Sequence, residues 1–90
     1  DKAEQEVLKY IEQFGENMDI LMHLGEVYYL SDQMEKSEEI FMKAKNLDPK
    51  DPKPFQALSK IAYSLKQFEK SAEYSQEATK LMTMMRRKKK

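Results

Sequence analysis

Residues 24–47, LGEVYYLSDQMEKSEEIFMKAKNL, return 34 residues later as residues 58–81, LSKIAYSLKQFEKSAEYSQEATKL. Leu24/Leu58, Tyr29/Tyr63, Gln33/Gln67, Glu35/Glu69, Lys36/Lys70, Ser37/Ser71, Glu39/Glu73, Ala44/Ala78 and Leu47/Leu81 are identical across that offset, and Val27/Ile61 and Met34/Phe68 keep their apolar character. A constant stride of this length, carried by small and apolar positions, is the signature of two-helix units that bury their faces only against neighbours. Such a chain is expected to stack and to leave a trough, which points to binding without naming the ligand.

Ninety residues, 40% apolar and 36% charged, suit one small helical domain with a thin core. Two glycines and three prolines leave few turns, and Glu, Lys, Gln, Leu, Met and Ala favour helix, so the chain is expected to be all-α. No apolar run reaches the roughly 18 residues of a membrane span, and no charged-then-apolar leader is present. Because the chain begins at Asp1 rather than Met, a missing leader decides nothing; the expected location is intracellular and cytoplasmic. Absent cysteines exclude a disulfide framework and a thiolate metal site. The zero net charge hides an acidic body, −5 over residues 1–85, and a basic end, RRKKK, of +5.

Ala3, Val7, Tyr10, Ile11 and Phe14 recur every 3 to 4 residues and predict a helix over 2–14. Gly15 then serves as a left-handed C-terminal cap and Asn17 as the next N-cap. Helices are predicted over 18–31, with Leu21, Leu24, Val27 and Tyr28 on the packing side and Gly25 where a neighbour approaches closely, and over 34–47, with Ser37, Ile40, Phe41, Ala44 and Leu47 inward. The short connection makes them antiparallel. Asp48-Pro49-Lys50-Asp51-Pro52 separates the units, Asp51 capping a helix over 52–65 that starts on Pro52. A last helix runs from 68 to about 82, and with Thr83 where the earlier unit has Pro49 nothing halts it before RRKKK.

These residues resemble the tetratricopeptide repeat family: 18–51 as a first unit, 52–85 as a second, 2–14 as the trailing helix of an upstream repeat, and 86–90 as a basic tail. The first unit carries the motif in Leu21, Leu24-Gly25, Tyr28, Ser37, Phe41, Ala44 and Pro49. The second matches at Phe55, Leu58-Ser59, Ser71 and Ala78, and departs at Ala62, where Tyr is usual, at Ser75, where an aromatic is usual, and at Thr83. The resemblance implies an α-solenoid of about five antiparallel helices, whose concave face is lined by the first helix of each pair and holds a segment of a partner protein.

On that basis the partner-binding groove is expected at Met22, His23, Glu26, Tyr29 and Leu30, and at Lys53, Gln56, Lys60 and Tyr63, with Asp19, Ala57 and Ser64 completing the face. Tyr29 and Tyr63 offer flat apolar area with a hydroxyl tip, suited equally to an interface and to a helix seam. Some members of the family grip the C-terminal carboxylates of chaperones with Lys, Asn and Arg. Here Met22, Glu26, Lys53 and Ala57 stand at those positions, and Glu26 repels a carboxylate, so a chaperone-tail clamp is not expected.

Catalysis and cofactors find no support. His23, the single histidine, has no second ligand at metal spacing and reads as a solvated or peptide-contacting side chain. There is no glycine-rich phosphate loop, and adjacent acids such as Glu38 and Glu39 lie on different helix faces. RRKKK could attract phosphate, yet with a short basic end above an acidic body nucleic acid is not the expected partner. Val7, Ile11 and Phe14 are expected to face outward at one end and Met82, Met84 and Met85 at the other, without a polar cap, so the chain is expected to belong to a longer array or to associate with itself through those ends.

Overall fold

Caps and turn residues divide the chain where their chemistry requires. The computed structural model describes residues 2–88, with side chains from 2 to 86. The described residues form five helices: α1 (Lys2–Phe14), α2 (Met18–Leu30), α3 (Met34–Leu47), α4 (Pro52–Ser64) and α5 (Phe68–Lys88). Gly15 closes α1 at φ 86°, its N–H donating to the Ile11 carbonyl at 2.7 Å. Asn17 caps α2 by accepting from the Ile20 N–H at 2.9 Å, and Asp51 caps α4 by accepting from the Lys53 N–H at 2.9 Å. The α2–α3 and α4–α5 turns are the same turn. Asp32 and Lys66, one stride apart, adopt left-handed φ of 61° and 62°, and the next residues, Gln33 and Gln67, each donate to the carbonyl five residues back, Tyr28 and Ala62, at 2.8 Å.

Each helix packs chiefly against the next in the chain. The result is a slab of 41 × 33 × 16 Å, about two helix layers thick and open rather than closed into a bundle.

The core repeats with the sequence. Val7 of α1 packs with Leu24, Val27 and Tyr28 of α2; one stride on, Phe41 of α3 packs with Leu58 and Ile61 of α4, and Ala62 of α4 is fully buried. Sizes trade places: across the stride the small Val7 becomes the large Phe41, while the large Tyr28 becomes the small Ala62. The Ala62 departure thus coincides with a larger side chain, Phe41, on the preceding helix.

A second exchange involves Gly25. A Cβ there would stand 2.6 Å from the Phe41 ring, so Phe41 requires glycine opposite. One stride later Phe41 becomes the exposed Ser75 and Gly25 becomes Ser59, whose hydroxyl fits. Ser37 donates to the Gly25 carbonyl at 2.7 Å, whereas Ser59 and Ser71 bond reciprocally, each hydroxyl donating to the other's carbonyl at 2.8 and 2.9 Å.

Two expectations need correction. Val7 does not face outward: it is buried against α2, and Ile11 packs beside it, leaving Tyr10 and Phe14 exposed with their rings tilted against each other, centroids 4.9 Å apart. Leu47 is not inward but 54% exposed, because α3 ends on it and its side chain is left at the rim. The last helix runs on past 82 to Lys88, as expected where no proline stops it. Met82, Met84 and Met85 are exposed on it, and Arg86 begins the RRKKK run, whose side chains from 87 on lie outside the described residues.

Tyr28 ties α1 to the rest, donating its hydroxyl to Glu4 at 3.0 Å. Burial first, then this bond to Glu4, raises the phenol pKa above 10. The folded chain thus keeps the proton where the unfolded chain loses it, so this stabilisation is complete below about pH 10 and fades as pH rises past it. Tyr28→Phe is expected to cost about 1 kcal/mol at neutral pH and to lessen the alkaline fall in melting temperature; an unchanged alkaline fall would count against this role.

Candidate functional site

The stacking leaves a cavity of about 520 Å³ between α2 and α4. Asp19, Met22, His23, Glu26 and Tyr29 line it from α2, because positions three to four apart share a helix face. Lys53, Gln56, Ala57 and Lys60 line it from α4, and Phe41 of α3 reaches it from between them. Met22, Tyr29 and Ala57 also pack on the Phe41–Leu58–Ile61 cluster, so the floor is apolar and continuous with the core.

The walls differ in charge. Asp19 and Glu26 lie on α2; at the same positions one stride on, α4 has Lys53 and Lys60. The four side chains are exposed and do not pair across the trough: among the described residues the one ion pair, Lys43 with Glu16 at 2.6 Å, lies outside it. Lys60 instead rests over the Tyr29 ring, 5.1 Å from its centroid, and the Tyr29 hydroxyl lies 3.4 Å from that of Ser64.

Of the residues expected from sequence, Met22, His23, Glu26, Tyr29, Lys53, Gln56 and Lys60 meet around this cavity. Tyr63 lines an adjoining cavity of about 350 Å³ with Tyr29, Gln56 and Lys60, is 66% exposed, and sets its ring edge-on to Phe68 at 5.4 Å. Leu30, 75% exposed at the end of α2, lines neither. Tyr29 serves both seam and trough. Sequence reasoning missed Phe41 as part of the floor, reading it only as an inward residue; glycine at position 25 was the available signal that a bulky side chain passes close by. On the α3–α5 side, Glu38, Glu39, Met42, Lys43, Lys70 and Tyr74 surround a cavity of about 530 Å³. There Tyr74 donates to the Met42 sulfur at 3.9 Å, and burial, then Glu38 and Glu73, raise its pKa.

Residues 19–51 match the family model described as the tetratricopeptide repeat. The chain carries a tetratricopeptide repeat. The matched span covers α2, α3 and the linker to Asp51, that is, one wall of the trough and the helix that supplies Phe41. No curated protein matches the chain. Tetratricopeptide repeats are in general protein–protein interaction modules and typically non-catalytic. Among the described residues no cluster of three His, Cys, Asp or Glu could hold a metal ion, and no helix is long and apolar enough to cross a membrane.

Proposed function

We propose that this chain is an interaction module of a larger scaffold or assembly subunit, which holds a segment of a partner protein in the trough between α2 and α4. One observation carries the reading: the trough has an apolar floor of Met22, Phe41 and Ala57, with charged, unpaired rims above it. Buried apolar area supplies affinity in such an arrangement and polar rims supply selectivity. In the same reading residues 18–51 and 52–85 are successive repeats, and α1 is the trailing helix of an earlier one, since Val7 stands to α2 as Phe41 stands to α4. Glu26 and Met22, where a carboxylate clamp needs cations or amides, speak against a chaperone tail as the occupant.

The test is capture of partners by the chain and by a Tyr29→Ala/Tyr63→Ala variant. Helicity should stay unchanged, because Tyr63 is exposed and Tyr29 is only half-buried, while specific capture falls by about tenfold or more. Capture that survives both substitutions would reject this face.

A second reading is self-association through Tyr10 and Phe14 at one end and Met82, Met84 and Met85 at the other, favoured by their exposure. Sedimentation at micromolar concentration decides it, a strict monomer removing the idea.

A further inference from the structure

The sign of the trough walls, taken with the reading above on which it rests, says more about the occupant. We propose that the trough accepts an amphipathic helix with flanks of opposite charge, cationic toward α2 and anionic toward α4, and that this split fixes the direction in which the helix lies.

Asp19 and Glu26 are seven residues apart on α2, as are Lys53 and Lys60 on α4, so each wall repeats its charge after about 10.5 Å. A helix laid along the trough repeats its flank residues at the same interval. It meets both charges of each wall at once. An extended segment covers that distance in about three residues, and residues three apart in a strand point to opposite faces, so it satisfies one charge per wall and turns the next away. Between the walls the floor calls for an apolar stripe, and the Met22 thioether adapts to its shape without demanding one particular side chain. Reversing such a helix end for end exchanges its flanks, which would set cations against Lys53 and Lys60 and anions against Asp19 and Glu26. The walls therefore read polarity as well as composition.

Three synthetic 15-residue peptides test this by fluorescence anisotropy at low salt: a Leu-striped helix with Lys on one flank and Glu on the other, the same composition with Lys and Glu interleaved on both flanks, and the split helix broken by a central Pro. The split helix should bind about tenfold tighter than either control, four weak charge pairs acting together, and the advantage should shrink in about 0.5 M salt. Because the chain has no cysteine, Lys50→Cys beside the start of α4 gives one labelling site, and energy transfer to a dye on the peptide N-terminus reports direction. The charge-exchanged variant, Asp19→Lys, Glu26→Lys, Lys53→Glu and Lys60→Glu, should bind the split helix equally well with the transfer reversed. Equal binding of all three peptides, or an unreversed signal, overturns the inference while leaving the trough as a binding site. Binding by none also overturns it, and the Tyr29/Tyr63 capture experiment, which uses no such peptide, then shows whether the trough reading falls too.

Discussion

Phe41→Ala is expected to cost about 3–5 kcal/mol, the usual range for deleting a buried aromatic ring from a core that cannot collapse around the gap. Phe41 is 4% exposed and packs on Leu58 and Ile61, with Gly25 against its ring edge, so three helices lose contact together. A chain of ninety residues has roughly 5–13 kcal/mol of stability in total, which makes this a large fraction. Thermal unfolding followed by circular dichroism should show a midpoint lower by roughly 15–30 °C. The trough should suffer as well, because the same ring forms part of its floor. A loss below about 1 kcal/mol would mean that α3 and α4 are not joined as described.

Gly25→Ala should have the sign opposite to helix propensity. In a solvent-facing helix the exchange gains about 1 kcal/mol. Here the new methyl would stand 2.6 Å from two carbons of the Phe41 ring, and a side chain that is itself fully packed cannot swing away cheaply. We expect a net loss of about 1–3 kcal/mol by urea titration. Phe41→Leu in the same chain should recover part of it, with a coupling near 1 kcal/mol or more, because the smaller side chain vacates the contested space. If Gly25→Ala stabilised the protein, the close approach of α2 and α3 would be wrong.

Much of this was legible because turn and cap chemistry is local. Asn17, Asp51, Gly15 and the prolines placed the helix boundaries within a residue or two up to α5, and the 34-residue stride placed the helix faces. The trough lies where those faces meet: seven of the nine residues expected along it line one cavity, Tyr63 lines the adjoining one, and Leu30 lies exposed at the end of α2. Less legible was anything that depends on pairs of positions changing together. Ala62 and Ser75 look like departures from a family pattern when read singly. Taken with Phe41 and Ser59, each accompanies an opposite change of size at a second position one stride apart. Val7 was misplaced for the same reason: its partner Tyr28 supplies most of the bulk, and a valine alone gives no sign that it is covered.

Packing of each helix chiefly on its chain neighbours also governs how quickly the protein is made ready for use. Every docking step closes a short loop, so the entropic barrier is small and the search belongs to the microsecond-to-millisecond class of local topologies. During synthesis the α2–α3 pair can form while α4 is still inside the ribosome, and its apolar side then waits only for α4, the next helix, to emerge.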